Sequence, residues 1–180
     1  MDDGENMLKL ILFTVVSAGI VWWSWTSLCD RRSHGFYRFF AFESILALFL
    51  LNAEHWFRDP FSALHIVSWL LLFGSLFLAV HGFYLLRLIG KPEGSFENTT
   101  TLVRLGAYRY IRHPLYSSLL WLAWGIFFKD PSLPGGVLAL AASAFLVATA
   151  KVEEVENLHR FGADYAAYMK TTKMFIPFLC

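Results

Sequence analysis

Cysteine is scarce in this chain. Only Cys29 and Cys180 occur among its 180 residues, one beside an apolar segment and the other at the last position. Two such cysteines suggest neither a disulfide framework nor a thiolate metal site. The six histidines include no pair spaced i, i+4 beside a carboxylate cluster, so we expect no bound metal.

Charge is also scarce. Charged residues make up 16% of the chain, hydrophobic residues make up 57%, and the mean hydropathy is +0.50. A soluble domain usually has about 25% charged residues, so this composition indicates a membrane protein. The formal net charge is only +1, and we expect no nucleic-acid partner.

The motifs of soluble cofactor enzymes are missing as well. The chain contains no GxGxxG after a strand, no GxxxxGK[ST], no HExxH and no GxSxG. These patterns are typical of dinucleotide, phosphate, zinc and ester chemistry. Their absence weakens the case for the corresponding classes of soluble enzyme.

Five apolar segments are present instead, over residues 10–28, 39–53, 64–89, 115–128 and 133–150. At a helical rise of about 1.5 Å per residue, the first nearly spans a hydrocarbon core of about 30 Å. The second and fourth are short, and they require tilt or a start inside the polar flank. The pattern predicts an all-α fold, a polytopic transmembrane helix bundle with about five spans.

Lysine and arginine are unevenly distributed between the two ends of such a bundle. Of the fifteen, only Lys9, Arg58 and Lys129 fall at one end. Basic loops face the cytosol by the positive-inside rule. We therefore expect the N-terminus outside, the C-terminus inside, and the polar stretches 90–114 and 151–180 in the cytosol.

The C-terminal polar stretch has its own helical pattern. Residues 151–160 read as an amphipathic helix, Gly162 breaks it, and a second short helix follows around residues 164–170. The apolar residues after it are expected to lie back on the membrane face.

Residues 108–114, YRYIRHP, combine basic and aromatic side chains with a proline. Pro114 suits the first turn of a helix, where its missing N–H group is not needed. The N-terminus of that helix attracts an anion such as a carboxylate or a phosphate. Alternatively, Arg109 and Arg112 anchor the loop to anionic lipid.

Ionisable side chains in or beside the apolar segments are further candidates. Glu153 and Glu154 follow the last segment, where they form a solvated face, meet a cationic ligand or pair with an arginine of the basic loop. Glu43 and His81 lie inside apolar segments, where ionisable groups are costly and usually face a cavity or the bundle interior. For Glu43, a structural pair with another helix or an interfacial position is the alternative to a functional role.

Several motifs of the C-terminal half occur in a recognisable order. They are TLVRLGAYRYIRHPLY at 101–116, a helical hairpin, the glutamates at 153 and 154, then FGADYAAYMK and a terminal FIP. As a set, covering about 80 residues, they resemble the isoprenylcysteine carboxyl methyltransferase and phospholipid methyltransferase superfamily of integral membrane enzymes.

The resemblance implies S-adenosylmethionine as methyl donor, in a cytosol-facing pocket closed by the tail. It also implies one integral membrane domain over 1–180, with N-terminal helices in 1–63 and the cofactor-binding methyltransferase core in 64–180. The partners expected are a lipophilic small-molecule or lipid acceptor and membrane lipid. The residues implied to contact the cofactor are Thr100, Thr101, Leu102, Val103, Tyr108, His113, Pro114, Leu115, Tyr116 and Glu153.

One position departs from the family pattern. Prenylcysteine enzymes typically carry an arginine four residues before the first glutamate, but this chain has Thr149 there and Lys151 two residues later. Lysine does not replace arginine in bidentate carboxylate binding. This departure leaves three classes of acceptor open, namely a carboxylate, a thiol or an amine. A thiol or an amine needs a base, and the candidate catalytic bases are Glu154, Glu43 and His81.

Two other functions compete with methyl transfer. One is an NADPH-dependent reductase of the sterol type, because those membrane enzymes resemble the same C-terminal architecture. The other is a non-catalytic membrane scaffold that retains the fold. The small number of predicted spans favours the methyltransferase over the reductase.

Overall fold

The computed structural model describes residues 3–93 and 99–177, so Cys180 lies outside the described part of the chain. Within these ranges the structure consists of helices joined by loops and short 3-10 turns. The α-helices are α1 (Asp3–Leu28), α2 (His34–Leu51), α3 (Ala63–Leu88), α4 (Pro114–Phe127), α5 (Leu133–Phe161) and α6 (Ala163–Thr171). The predicted all-α class is confirmed.

Among the described residues, four helices are long and apolar enough to cross a membrane, namely α1, α2, α3 and α5. Helix α4 is also apolar, but its 14 residues reach only about 21 Å at the helical rise. The number of spans and their orientation remain predictions.

Helices α1, α2 and α5 are longer than their apolar segments, and the structure shows what sets the start of α2 and the end of α5. Helix α2 begins at His34 because the Ser33 hydroxyl caps it, accepting from the Gly35 N–H at 3.2 Å. Helix α5 continues without interruption through the predicted amphipathic helix and ends at Gly162, whose φ is +55°. The predicted boundary near residue 150 does not exist, because residues 151–160 change in polarity but contain no helix breaker.

Small residues set the contact between α3 and α4. Ser68, Ser75 and Gly82 recur every seven residues on α3 and are buried. The Ser68 hydroxyl donates to the Gly125 carbonyl at 2.6 Å, and the Ser75 hydroxyl donates to the Ser118 carbonyl at 2.7 Å. Small side chains let helices approach closely in membranes, where apolar burial between helices contributes little. These contacts bring the start of α4 to the end of α3, and we call this end of the bundle the site end.

Helix α1 packs along α2, and its other faces are exposed over most of its length. The Ser17 hydroxyl donates to Glu43 Oε2 at 2.6 Å, which places Glu43 in the contact between these two helices. At the site end, His34 Nδ1 lies 2.6 Å from Glu156 Oε2 and ties the start of α2 to α5. The buried apolar side chains of the bundle interior come mainly from α2, α4 and α5, and α1 lies along one side.

Candidate functional site

A cavity of about 650 Å³ lies at the site end. Each described α-helix contributes to its wall, as does the segment between α3 and α4. Polar and aromatic side chains from that segment, α5 and α6 line one part of the wall. Apolar side chains of α1, including Val16, Ile20 and Trp23, line another part together with Phe42.

The segment before α4 enters the wall through a short turn at Gly106–Arg109. Gly106 has φ +58°, and a Cβ at this position would collide with His81 Nε2 and the Leu85 side chain. Glycine permits both the positive φ and the close approach. The turn buries Tyr108 against Leu85 and Val103, so the phenol ring is held at the cavity wall.

The chain after α6 runs alongside residues 110–113, and we call residues 172–175 the strap. The Lys173 N–H donates to the Tyr110 carbonyl at 3.0 Å, and the Arg112 N–H donates to the Lys173 carbonyl at 2.7 Å. The His113 N–H then donates to the Met174 carbonyl at 3.2 Å. The strap therefore fixes the backbone of the segment that starts α4.

Arg112 holds the strap against α5. Its Nε lies 2.6 Å from Glu154 Oε1, and its Nη1 donates to the carbonyls of both Thr172 and Met169. The side chains of Arg112 and Glu154 are each only 10% exposed. Arg112 is thus engaged inside the protein, whereas Arg109 is exposed, with its guanidinium 5.9 Å from the Tyr110 ring centroid. Of the two arginines, only Arg109 is placed to meet anionic lipid.

His113 lies in the wall between the two glutamates. Its ring stacks on Tyr116 with centroids 5.4 Å apart. Nδ1 is 3.8 Å from Glu153 Oε2, and Nε2 is 3.4 Å from Glu154 Oε1. Glu153 faces the cavity, while Glu154 lies behind the wall in its pair with Arg112. The two adjacent carboxylates therefore have different surroundings.

Two tyrosines of α6 complete this side of the wall. The Tyr168 hydroxyl donates to the Tyr108 carbonyl at 2.6 Å, and the Tyr165 and Tyr168 rings lie 5.8 Å apart. Burial raises the pKa of the Tyr108, Tyr165 and Tyr168 phenols above their usual range. All three phenols are uncharged at neutral pH, and the Tyr168 proton is already donated to the Tyr108 carbonyl.

The structure brings together most of the residues expected to contact a cofactor. The cavity wall includes Leu102, Val103, Tyr108, His113, Leu115, Tyr116 and Glu153. Thr100 and Thr101 are exposed outside it, and the Thr100 hydroxyl donates to the Lys91 carbonyl at 3.0 Å. Pro114 is buried at the start of α4, where it positions its neighbours.

The three candidate bases are not part of this wall. Glu43 lies between α1 and α2, and Glu154 is paired with Arg112. The His81 ring stacks on Phe77 with centroids 5.6 Å apart, and it lies beside Gly106 in a separate depression on α3. His81 thus supports the turn that carries Tyr108.

Several wall residues were not identified from the sequence. They are Arg38 and Phe42 on α2, Leu86 on α3, Thr99, Leu119 on α4, Asn157 and Phe161 on α5, Tyr165 and Tyr168 on α6, and the α1 side chains. The i, i+3 spacing of Tyr165 and Tyr168 within FGADYAAYMK was a usable signal, because it places both rings on one helix face. For Arg38 and for α1, local sequence carries no such signal.

Comparison with known proteins identifies relatives of this chain. Residues 63–163 match the family model for phospholipid methyltransferase, which covers α3, the segment after it, α4 and α5. Methanethiol S-methyltransferase 1 of Bradyrhizobium diazoefficiens is 28% identical over 197 residues, covering 96% of this chain and 66% of the relative. Methanethiol S-methyltransferase 2 of the same organism is 29% identical over 138 residues, covering 73% of this chain and 47% of the relative.

A further relative acts on a different acceptor by name. Protein-S-isoprenylcysteine O-methyltransferase of Mus musculus is 33% identical over 87 residues, covering 46% of this chain and 30% of the relative. The chain therefore spans less than two thirds of the length of each of these three relatives. No solved structure matches it significantly.

Proposed function

The chain belongs to the phospholipid methyltransferase family, and we propose that it transfers the methyl group of S-adenosylmethionine to a small lipophilic acceptor at the membrane surface. The observation that carries this proposal is the division of one cavity into two parts. The segment before α4, Glu153 and the tyrosines of α6 provide polar and aromatic groups, while α1 and Phe42 provide an apolar wall. The polar part suits the methyl donor, and the apolar part suits a lipophilic acceptor.

The residues present suit S-adenosylmethionine, which when bound supplies an electrophilic methyl group on a sulfonium sulfur. The volume of about 650 Å³ falls within the range of about 300–1,000 Å³ for small-molecule sites. Tyr108 and Tyr116 offer aromatic faces that attract a cation. The His113 ring also lines the cavity, and its Nδ1 lies on the side of Glu153, 3.8 Å from Glu153 Oε2.

Charge at the two sides of the site matches the amino-acid part of this donor. The Glu153 carboxylate favours an ammonium or the sulfonium. The N–H groups in the first turn of a helix have no intrahelical acceptor, and they attract a carboxylate. In α4 these groups belong to Leu115 and Tyr116, which both line the cavity. Little covalent assistance is needed from the protein, because holding donor and acceptor in line removes most of the entropic cost.

The acceptor is a thiol, a carboxylate or an amine. Two relatives are named for methanethiol and one for isoprenylcysteine. Thr149, at the position where prenylcysteine enzymes carry arginine, is fully buried, and its hydroxyl donates to the Phe145 carbonyl at 2.7 Å. It cannot bind an acceptor carboxylate in place of an arginine.

Calorimetric titration of the detergent-purified protein tests the cofactor. We expect saturable binding of S-adenosylhomocysteine and none of NADPH, because S-adenosylhomocysteine keeps the ammonium and the carboxylate that would meet Glu153 and the start of α4. Binding of NADPH alone would assign the chain to the reductase class. If folded protein bound neither compound, the scaffold function would replace the proposed one.

We propose that the site end faces the cytosol, because most of the lysines and arginines lie at that end. Cys29 is a free, exposed thiol just after α1, at the site end. In a Cys180→Ser background, a membrane-impermeant maleimide should label Cys29 in inside-out vesicles and leave it unlabelled in right-side-out vesicles. Labelling of right-side-out vesicles alone would reverse the orientation.

A further inference from the structure

Arg38 lies in the cavity wall on α2, a helix that contributes no residue to the proposed cofactor site. It lies on α2 with its guanidinium carbon 5.9 Å from the centroid of the Phe42 ring, and both side chains line the cavity. The Tyr116 hydroxyl lies beside both Arg38 and Glu153. Arg38 therefore connects the apolar wall of α1 and α2 to the polar residues of the proposed cofactor site.

The other ionisable groups of the wall have different surroundings. Arg112 is bound to Glu154 and the strap, and His113 lies between the two glutamates. Glu153 is negatively charged and would repel an anion, and the wall tyrosines outside α4 are uncharged phenols, whose pKa values burial raises further above neutral pH. Of the cationic groups in the described wall, Arg38 is the one adjoining the apolar part.

We propose that Arg38 binds the acceptor and holds it as an anion, either a thiolate or a carboxylate. This inference rests on the proposed function and narrows its acceptor class. A guanidinium stays protonated at any physiological pH, and a nearby positive charge favours the ionised form of an acid. The same charge disfavours a protonated amine, which removes the amine from the three possible acceptors.

An anionic acceptor also explains why no base is needed in the wall. The acceptor loses its proton to water on binding beside Arg38. The electron pair of the acceptor would then form the bond to the methyl carbon while the methyl–sulfur bond breaks, and the electron pair of the broken bond would stay on sulfur. The negative acceptor and the positive sulfonium both become neutral, so no protein group takes up a proton.

A binding experiment without turnover tests Arg38 directly. Protein in nanodiscs saturated with S-adenosylhomocysteine is titrated with decanoate and with decanol, which share a chain but differ in charge. We expect Arg38→Gln to weaken decanoate binding at least tenfold while leaving the affinities for decanol and S-adenosylhomocysteine unchanged. Arg38→Lys should fall between the parent and Arg38→Gln, because lysine retains the charge but not the planar fork.

Arg87 provides a matched control. It is an exposed arginine near the end of α3, with its guanidinium carbon 5.2 Å from the Phe83 ring centroid, and it lies outside the cavity wall. Arg87→Gln removes the same charge and a similar aromatic contact at the same end of the bundle. It should leave all three affinities unchanged.

The pH dependence of turnover supplies a second measurement, with an alkanethiol as acceptor. Without Arg38 the bound thiol has a higher pKa, so less thiolate is present at neutral pH. We expect kcat/KM of Arg38→Gln at pH 7 to be about tenfold below the parent, or about 1.4 kcal/mol. The difference should shrink as the pH rises through the pKa of the thiol.

Three results would overturn the assignment of Arg38. Equal losses for decanoate and decanol would indicate a packing role, and unchanged affinities would indicate no role. Weaker S-adenosylhomocysteine binding would assign Arg38 to the carboxylate of the cofactor. If the parent protein did not bind S-adenosylhomocysteine, the proposed function would be overturned instead. The decanoate and decanol titrations, repeated without S-adenosylhomocysteine, would then still decide the role of Arg38.

Discussion

Replacing Glu153 or His113 by alanine is expected to weaken S-adenosylhomocysteine binding at least tenfold, which corresponds to about 1.4 kcal/mol. Both side chains line the cavity. Glu153→Ala removes the carboxylate that we propose meets the ammonium group of the ligand. His113→Ala removes a ring that is 3% exposed and stacked on Tyr116. The ligand would lose one contact, and Tyr116 would lose the ring that it packs against.

Calorimetric titration of each variant measures this effect, and retained helical circular dichroism shows that insertion and folding are intact. His159→Ala is the matched control for His113→Ala, because His159 is an exposed histidine in the last turn of α5. Glu153→Gln keeps the shape of the side chain and separates the loss of charge from the loss of packing. Parent-like affinity in both alanine variants would remove our assignment of the cofactor site.

The second large effect is expected from Arg112→Ala, which should detach the strap and destabilise the site end. The substitution leaves the Glu154 carboxylate, which is 10% exposed, without its cation, and two backbone carbonyls of the tail without a donor. Removing one partner of a buried ion pair costs about 3–5 kcal/mol. Because the strap also fixes the backbone of His113, cofactor affinity should fall with it.

Limited proteolysis detects this detachment as faster cleavage after residue 161, and thermal unfolding reports the loss of stability. Arg109→Ala is the matched control, since Arg109 is exposed three residues earlier in the same basic segment. The double variant Arg112→Met with Glu154→Leu should recover much of the stability, because replacing both charges by apolar side chains leaves no unpaired buried ion. A parent-like cleavage rate in Arg112→Ala would contradict the role we give to this pair.

The helices could largely be located from the sequence. Helix α3 runs over Ala63–Leu88, close to the predicted segment, because Ser62 caps its start and Gly90 follows its end. Helix α5 differs more, continuing to Phe161. Hydropathy shows where a helix leaves the apolar environment, whereas the helix itself ends at Gly162, where the backbone adopts a positive φ.

The candidate site could be predicted from the sequence along one continuous stretch and at Glu153. The motif at 101–116 places Tyr108, His113 and Tyr116 within a few residues of each other, so the resemblance could assign them together. Glu43 and His81 attracted a functional interpretation because ionisable groups inside apolar segments are costly. In the structure Ser17 donates to Glu43 Oε2 and His81 packs beside Gly106, both outside the cavity wall, and their catalytic role remains a prediction.

The sequence by itself determined the membrane class, the positions of the apolar helices and the stretch that borders the cavity. These depend on composition and on local spacing, which a linear chain displays. Only the tertiary structure decided that Arg112 pairs with Glu154, 42 residues away, and that Arg38 and α1 complete the wall. Such contacts depend on which helices pack together, and in a membrane that choice rests on small-residue packing and buried polar pairs rather than on hydrophobicity, which every helix shares.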